Sequence, residues 1–507
     1  MKRLIMVVLV IQFSILVNGQ SKYDYVWQMG YDYVPKWGFS LNFNNRIVKL
    51  DTFRRNHGYD AALASLSDKN GNFIFTSNGC KIYNKNLSIM QNGDSVNMGT
   101  LRNENCNDNN RLGGLVFPQI MIALPQPNND SVFYVFHSSY DFLTGLPIIA
   151  LANKLFYTVI NMNENNGLGS VKIKNKLIVS DSLDGGNINA VKHANGKDWW
   201  IITRKFRSNT YYTMRLTQSG VDTFFTQSVG NITLLGDQTG GQGCFSPDGT
   251  KYVYYSELND VMLFDFDRNT GLLSNFRNYQ VSKARYSFGG AVFSPSNRFL
   301  YILTSKEINQ FDLQATDIQA SKEIVAVQNG IAAPLLVSMA FGQLAPDCKI
   351  YITYAGGAQA FGYMRYPDRK GIACQVVQAG IRLPFTVATA GGLPNNPNYR
   401  LGIIPTHPCD STIDFRVPTK EAYSKIEVNV FPNPSTGNVT LDWDDGINTE
   451  GGIVRVFNML GQMVFQQKIP AIDTRAQLEL NVPSGVYHIR INFKEHKVFQ
   501  GKVLIVK

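Results

Sequence analysis

The chain has 507 residues, of which 44% are hydrophobic and 17% are charged, and it contains 43 Gly, 31 Phe and 24 Tyr. This length is too great for one compact core, and the composition favours an extracellular, turn-rich, all-β protein of two or more domains. The formal net charge is +10, but the Lys and Arg are scattered without a basic block, which argues against a nucleic-acid partner.

Residues 1–19 form a predicted signal peptide. Lys2 and Arg3 precede an apolar run over residues 4–17, and the predicted cleavage lies between Gly19 and Gln20. The run is short for a membrane span, and no later stretch is long and apolar enough to be one. We therefore expect no transmembrane segment in the mature chain; the alternative is an uncleaved anchor helix.

Residues 20–36 are rich in tyrosine and tryptophan and show little periodicity. We expect this aromatic segment to pack on the rim of the domain that follows. The alternative use of such side chains is to stack on a sugar.

From residue 37 to about residue 405 a turn-plus-strand unit repeats. Its clearest copy, residues 245–255, reads Phe-Ser-Pro-Asp-Gly-Thr-Lys-Tyr-Val-Tyr-Tyr, and further copies begin at Phe293 and Leu344. Asn, Asp and Gly adopt the left-handed backbone angles of tight hairpins, and a repeat of roughly 40–50 residues is typical of β-propeller blades. The predicted blade turns lie at Gly71, Asp130, Gly196, Asp248, Gly249, Asn297 and Asp347.

The sequence favours seven blades, while six or eight also fit. The segments before the first turn and after the last turn can complete one blade together, which would close the ring and remove an open sheet edge. Glycine patches at 240–243, 289–290 and 341–343 lack the following helix and the Gly-Lys-Ser/Thr ending of a phosphate loop. We interpret them as small residues on crowded innermost strands.

Six cysteines occur, and none forms a Cys-x-x-Cys pair, so a thiolate metal site is not indicated. Export permits disulfides. The candidate disulfide cysteines are Cys80 with Cys106 and Cys348 with Cys374, which are nearest in sequence, although the connectivity does not follow from the sequence. Cys244 lies in an apolar strand, where a buried free thiol is the alternative.

Residues 406–426 are a predicted linker, and residues 427–507 are predicted to form a small immunoglobulin-like β-sandwich. Short alternating strands separated by turns imply one buried and one solvated face, as in residues 485–491, Gly-Val-Tyr-His-Ile-Arg-Ile.

This last region resembles the type A sorting domain of the type IX secretion system of Bacteroidetes. The resemblance is carried by residues 430–437 (Val-Phe-Pro-Asn-Pro-Ser-Thr-Gly), 456–462, 480–487 and the terminal 502–507. The motif positions are Pro432, Asn433, Pro434, Gly437, Gly461, Gly485, Tyr487, Lys502 and Lys507. The resemblance implies passage through the periplasm, the type IX secretion machinery as a partner, and a secreted or outer-surface location.

Residues 37–405 resemble the WD-like β-propeller surface proteins of the same bacteria. The carriers are residues 67–75, residues 90–94, the Phe-Ser-Pro-Asp-Gly repeats and residues 393–397 (Leu-Pro-Asn-Asn-Pro). The usual Asp-Gly is replaced by Asp347-Cys348 in one blade and by Ser296-Asn297 in another. The resemblance implies an architecture and no particular chemistry.

No catalytic constellation is legible in the sequence. The six histidines are dispersed, without His-x-His or His-Glu-x-x-His spacing, and His137 reads as a strand-end residue. The Gly-x-Ser-x-Gly elbow and the sialidase Asp box are absent, and the acidic cluster at 442–446 reads as a turn. We expect no cofactor and no bound metal.

Two functions therefore stay open. The favoured one is a non-catalytic binding or adhesion propeller with an extracellular glycan or protein ligand. The alternative is a propeller hydrolase acting on carbohydrate or peptide at the mouth of the ring. Two carboxyl groups about 5–10 Å apart in a deep cleft would favour the hydrolase.

Overall fold

The computed structural model describes residues 21–31, 37–55, 57–106, 113–143, 149–185, 187–232, 241–281, 289–329, 338–355, 358, 360–383, 392–405, 407–410, 413, 424–425, 427–443, 451–459, 462–471, 473–493 and 497–507. The signal peptide, with Gly19 and Gln20, and the motif residue Gly461 lie outside these residues. The chain divides into two compact units, Met1–Val417 and Pro418–Lys507. None of the helices within the described ranges has the length and apolar character that a membrane crossing requires.

The first unit consists of seven antiparallel sheets, which we number as blades in chain order. Their strands are β1 Val26–Met29, β2 Trp37–Asn42 and β3 Lys49–Arg54 in blade 1; β4 Ala64–Ser67, β5 Phe73–Ser77 and β6 Ile82–Asn84 in blade 2; β7 Met121–Gln126, β8 Asn129–Leu143, β9 Ile149–Asn161 and β10 Ser170–Leu183 in blade 3; β11 Asn189–Lys192, β12 Trp199–Arg204, β13 Thr210–Thr217 and β14 Gly220–Ser228 in blade 4; β15 Gln242–Phe245, β16 Lys251–Ser256, β17 Asp260–Asp267 and β18 Leu272–Tyr279 in blade 5; β19 Gly290–Phe293, β20 Phe299–Leu303, β21 Glu307–Asp312 and β22 Glu323–Val327 in blade 6; and β23 Ser338–Leu344, β24 Ile350–Ala355, β25 Ala360–Met364 and β26 Val376–Arg382 in blade 7. Helix α1, Thr100–Asn105, packs on β8, and 3₁₀ turns occur at Asn165–Gly167 and Gly371–Cys374.

The seven blades form a closed ring. Blades 2, 3 and 4 share one apolar cluster, and further clusters join blades 4 and 5, blades 5 and 6, and blades 6 and 7. Blade 7 packs against blade 1 through Tyr351 and Phe361, which contact Trp27 and Phe39. Because the blades pack face to face, inner strands such as β4, β12, β20 and β24 are completely buried, whereas outer strands such as β3 and β18 are largely exposed. The favoured number of seven blades is confirmed.

Tight turns connect the first and second strands of blades 2 to 7, and we call this end of the ring the turn face. Residues with positive φ form them, namely Gly71, Asn128, Gly196, Gly249, Asn297 and Cys348. Asp248 stabilises its turn by accepting hydrogen bonds from the backbone N–H of Thr250 and the hydroxyl of Ser246. Asp130 differs from the prediction, because the turn lies at Pro127–Asn128 and Asp130 is already in β8.

Asp347 also lies at a turn, but its side chain points into the protein interior. It is buried and accepts hydrogen bonds from Lys349 Nζ at 3.3 Å and Tyr351 Oη at 3.1 Å. Cys348, the next residue, takes the left-handed position that glycine usually fills.

The described part of the aromatic segment, residues 21–31, does not pack on the rim as predicted. Its residues 26–29 form β1, which pairs with β2, and Trp27 is completely buried. β1 runs opposite to β4, because Val26 and Gln28 contact Ser65 while the carbonyl of Tyr23 accepts from Ser67 N. Large aromatic side chains at alternate and adjacent positions suit a strand that is covered on both faces.

The first strands of the propeller and the segment that follows its last blade lie close together at blade 1. Since β1 begins at the turn face and is an edge of the sheet β1-β2-β3, the described part of blade 1 lacks, on the axial side of β1, a strand that runs in the direction of the other first strands. Residues 392–402, which we call the axial segment, run in that direction along the ring axis without forming a strand. The expectation that both chain ends close the ring therefore matches the path of the chain, with an irregular segment in place of a strand.

Two disulfides tie down irregular parts of the first unit. Cys80–Cys106 is confirmed, and it fastens the end of α1 to blade 2. The predicted pairing of Cys348 with Cys374 is wrong: Cys348 bonds to Cys409, and Cys374 is a buried free thiol, as Cys244 is a partly buried one. The predicted linker 406–426 is corrected accordingly, because Cys409 and Ile413 pack in the first unit.

The second unit is a two-sheet sandwich. One sheet has the order β27-β34-β33-β30-β31 and the other β28-β29-β32. The strands are β27 Ser424–Lys425, β28 Asn429–Phe431, β29 Asn438–Asp442, β30 Gly452–Phe457, β31 Met463–Ile469, β32 Arg475–Glu479, β33 Gly485–Phe493 and β34 Lys497–Ile505. The predicted sandwich of short strands is present, and a single apolar cluster fills the space between the sheets.

Candidate functional site

A small cavity lies on the ring axis, where an open propeller would offer a binding site. First strands of blades 3 to 7 and the axial segment line it, and its volume is about 80 Å³. Such a cavity holds a few water molecules, whereas ligand sites usually measure roughly 300–1,000 Å³. Among the described residues, Asp24 is the single acidic side chain in its wall.

Two glutamines connect inner strands of non-neighbouring blades across the axis. Gln119 Nε2 donates to the carbonyl of Gly243, and Gln119 Oε1 accepts from the N–H of the same glycine, at 2.8 and 2.9 Å. Gln242 bonds both backbone groups of Gly342 in the same manner, at 2.8 and 3.3 Å. These two pairs, which we call the glutamine clamps, connect blade 3 to blade 5 and blade 5 to blade 7. Each satisfies two backbone groups that would otherwise be buried without partners.

The glycine patches make the clamps sterically possible. A Cβ atom at Gly243 would lie 2.6 Å from Tyr252 Oη, and one at Gly290 would lie 2.5 Å from Gln242 Oε1. The interpretation of these patches as small residues on crowded innermost strands therefore agrees with their contacts. The clamps themselves were missed, although glutamine adjoins glycine in the patches at 241–243 and 342–343.

The axial segment closes the ring axis from the start of the first strands to the turn face. Asn395 Nδ2 donates to the carbonyls of Met121 and Ile188, at 3.1 and 2.7 Å. Nearer the turn face, Tyr399 Oη donates to the carbonyl of Ala123. The Leu-Pro-Asn-Asn-Pro motif thus supplies polar side chains that bond the inner strands of several blades at once.

A buried ion pair fastens the axial segment to the amino-terminal part of the ring. Arg400 is bidentate to Asp24, at 2.5 and 2.9 Å, and their side chains are 5% and 3% exposed. Arg400 Nε also donates to the carbonyl of Pro408. The one carboxylate in the cavity wall is therefore engaged in structure and is not available as a general acid or base.

A second polar cluster lies at the opposite end of the ring, the start face, where the first strands begin. Arg204 Nε donates to Asp184 at 2.7 Å, and the Arg204 guanidinium lies 4.4 Å from the Tyr254 ring centroid. Beside them, the hydroxyl of Tyr140 and both polar atoms of Asn187 are buried without a hydrogen-bond partner. Burial, and secondarily the charge of Asp184, raises the pKa of Tyr140.

The contacts of His137 and His57 are structural and do not resemble those of a catalytic histidine. His137 is buried in the middle of β8, with Nδ1 3.0 Å from Asn97 Oδ1 and Nε2 2.9 Å from Thr158 Oγ1, and burial lowers its pKa to about 3. The prediction of a strand-end residue was wrong in position, because β8 continues to Leu143. His57 stacks on Tyr83 with centroids 3.6 Å apart, and burial, then Arg55, lowers its pKa to about 3.

One group of side chains has metal-ligand character. Cys348, His407 and Cys409 place their ligand atoms within 4.8 Å of one another. In this structure the two sulfur atoms are joined as a disulfide, so they are not thiolates and do not offer a metal site. In the part of the chain that the structure describes, this is the one such group found.

The sorting-motif residues fasten the terminal strand. Asn433 Nδ2 donates to the carbonyl of Lys502, and Asn433 Oδ1 accepts from Leu504 N. Ser435 continues this contact by bonding Leu504 O and Val506 N, so that β34 is not left with an open edge.

The remaining motif residues shape the ends of the strands. Gly437 has φ of 130°, and a Cβ there would lie 2.9 Å from the carbonyl of Leu480. Tyr487 Oη donates to the carbonyl of Pro483, and the backbone N–H of Lys507 donates to Ser484 Oγ. Pro432 and Pro434 are exposed beside β34, and Gly485 begins β33.

Comparison with known proteins identifies the second unit. Residues 429–507 match the secretion system C-terminal sorting domain. An ulvan lyase of Nonlabens ulvanivorans is 32% identical over 78 residues, which is 15% of this chain and 14% of the lyase. This chain therefore spans only a small part of that relative. The protein is a substrate of the type IX secretion system and is exported to the cell surface or the extracellular space.

Solved structures similar to the chain include propeller-like proteins. A protein of unknown function from Desulfotomaculum acetoxidans shares 13% identity, with 73% of this chain and 99% of that chain covered and a TM-score of 0.39. A quinonprotein alcohol dehydrogenase-like protein from Bacteroides thetaiotaomicron shares 13%, with coverages of 74% and 77% and a TM-score of 0.36. A gluconolactonase from Xanthomonas campestris shares 10%, with coverages of 66% and 85% and a TM-score of 0.26. These scores are low, so the fold assignment rests on the seven sheets and their closure.

Proposed function

We propose that the exported propeller is a non-catalytic binding module for an extracellular glycan or protein. The observation that supports it is the state of the axial cavity. Its volume suits water and not a substrate, and its single acidic side chain, Asp24, is held by Arg400. A glycoside hydrolase needs a pair of carboxyl groups with room for the scissile bond between them. The described part of the cavity wall has no such pair.

The ligand surface that we propose is the start face. The turn-face mouth is closed by the axial segment, whose Asn398 and Gly402 bond the turns and hairpins of blade 5 through Pro247 and Arg268. At the start face, Tyr140 and Asn187 carry polar atoms without protein partners. Unpaired buried polar groups are costly, so they favour a site where water or a polar ligand completes the hydrogen bonds.

An array experiment tests this function. The purified mature chain, residues 20–507 with its disulfides intact, is applied to glycan and peptide arrays, and each retained compound is then recovered and analysed by mass spectrometry. We expect retention of one ligand class without any change in its mass. Turnover of a retained compound would overturn the non-catalytic proposal and favour the hydrolase.

A pair of matched variants tests the location. Tyr140→Phe removes only the unpartnered hydroxyl, and we expect it to weaken binding of the retained compound by about 3–10-fold, the value of one hydrogen bond. Tyr134→Phe makes the same change in the same strand, nearer the turn face, and we expect it to bind as the unmodified protein does. Equal affinities for the two variants would place the ligand elsewhere.

A further inference from the structure

The outer face of the larger sheet of the sorting domain carries an unusual concentration of basic side chains. Along β30, β31, β33 and β34, alternate residues are buried in the sandwich and the intervening ones point outward. Arg455, Lys468, Arg490 and Lys502 are among the outward residues. The outward residues of these strands include no Asp or Glu within the described ranges. We call this surface the basic face.

The register of the sheet brings these charges together. Arg455 lies directly opposite Arg490 in the neighbouring strand. Lys502 lies opposite His488 and is thus diagonal to Arg490, while Lys468 lies opposite Ile453 and is diagonal to Arg455. Like charges that face each other across a strand pair destabilise a sheet. The register therefore concentrates four positive charges in one part of the face, where Arg455 donates to Gln466 and Arg490 to Asn492.

Apolar side chains flank the basic cluster. Met463, Val486 and Leu504 are 53%, 38% and 38% exposed, and Phe457 lies beside His488 in the same sheet. Arginine, methionine and aromatic residues are enriched in protein–protein interfaces, and lysine-rich rims guide the approach of an acidic partner. This mixture fits an acidic protein surface better than it fits a nucleic acid, for which aromatic stacking or backbone tracking would be expected.

We propose that the sorting domain docks on the secretion machinery through this basic face, and that the complementary surface of the machinery is acidic. A second copy of the chain does not fit, since two basic faces would repel each other. Four strands of about seven residues each, counting both the outward and the inward residues, give a face with an area of about 400 Å². That is about half of what one partner contributes to a standard stable interface, so the contact is transient, as delivery of a cargo requires.

The terminal strand contributes directly to this surface. Lys502 and Leu504 point outward, while Val503 and Ile505 are fully buried in the core. Deleting residues 502–507 would remove part of the basic face and part of the core together. Retention of that truncated protein in the periplasm would not separate docking from folding. Substitutions on the face alone do so.

The test is export of Arg455→Glu with Lys502→Glu in the full chain, produced in a bacterium that has the type IX system. Charge reversal at an interface costs several kcal/mol, so we expect the ratio of surface and medium protein to periplasmic protein to fall by about tenfold or more. The control is Lys306→Glu with Lys322→Glu, which changes the net charge equally at two exposed lysines of blade 6. We expect the control to be exported normally. Normal export of the first variant would overturn the proposal.

Two further measurements make the result specific. The carboxylate that Arg455→Glu introduces would face Arg490, so the melting temperature of the sandwich should stay the same or rise; loss of export together with a lower melting temperature would assign these residues a structural role and overturn docking. The purified mature chain is also mixed with phosphatidylglycerol vesicles. Binding to the vesicles that disappears in the same double variant would assign the face to anionic lipid and overturn the acidic-protein partner. Array results on the propeller do not bear on any of these outcomes.

Discussion

The two units of this protein solve the problem of a buried interior in opposite ways. At the centre of the propeller, polar side chains such as Gln119, Gln242 and Arg400 cross the ring axis and are fully engaged. In the sandwich, Ser435 is the one buried polar residue among those described, and the rest of the core is apolar. The first strands of blades 2 to 7 and the axial segment converge so closely that little apolar volume fits between them, whereas two facing sheets leave a layer that apolar side chains fill completely.

This comparison implies that the propeller is the more vulnerable unit to the loss of a single polar contact. A buried hydrogen bond or ion pair whose partner is removed leaves an unsatisfied group, which costs more than the pair contributed. An apolar core instead loses stability in proportion to the volume removed. Thermal or denaturant unfolding of the mature chain, with the two transitions followed separately, would compare the units directly.

The largest effect is expected at the ion pair that holds the axial segment. Arg400→Ala leaves Asp24 buried and unpaired, so we expect the free energy of unfolding of the propeller to fall by about 3–5 kcal/mol, with the sandwich transition unchanged. Arg215→Ala is the matched control, because the pair of Arg215 with Asp222 is about one-third exposed. Exposed pairs contribute about 0–1 kcal/mol. Equal losses in the two variants would show that the axial pair has no special role.

An intermediate effect is expected at a glutamine clamp. Gln242→Ala leaves the N–H and the carbonyl of Gly342 without partners at the axis, which should reduce the stability of the propeller by about 2–4 kcal/mol. Gln314→Ala, at an exposed position of blade 6, should change it by less than about 0.5 kcal/mol. Denaturant titration measures both. If the clamp variant matched the surface variant, water would have replaced the amide without cost.

The sequence predicted the parts of this fold that are decided locally. Turn residues such as Gly249 and Asn297 indicate a hairpin, because few residue types adopt positive φ. In strands such as β33, the alternation of apolar and polar residues indicates which face of the sandwich is buried. Because its strands alternate in this way, the sequence predicted that the sorting domain is a small β-sandwich. Cys80–Cys106, 26 residues apart, was also predicted from proximity in the sequence.

What the sequence did not predict depends on residues that meet only after the ring closes. Cys348 and Cys409 are 61 residues apart, and Gln119 and Gly243 are 124 apart, so neither contact leaves a local pattern. The role of β1 was missed because its side chains are covered on both faces and show no alternation. At the start face, Tyr140 and Asn187 have no sequence signature, because their significance lies in the absence of a partner.

The smallest effect of a single residue concerns acid, and it also separates the two units. His137 has a pKa of about 3 in the folded propeller against 6.5 for an ordinary histidine, because burial disfavours its charged form. The unfolded chain therefore binds the proton more readily, and this stabilisation is complete above pH 6.5 and is lost as the pH falls toward 3. At pH 5 the loss is about 2 kcal/mol for this residue, and His57 adds a similar loss. The sandwich has no buried histidine in its described part, so these losses fall on the propeller transition, where the pKa of Asp60, raised to about 7 by burial, opposes them between pH 7 and pH 5. His137→Gln should remove about 2 kcal/mol of the loss between the two pH values and leave the part that His57 contributes, whereas His407→Gln, at an exposed position, is the control. An unchanged pH dependence in His137→Gln would contradict the assignment to this histidine.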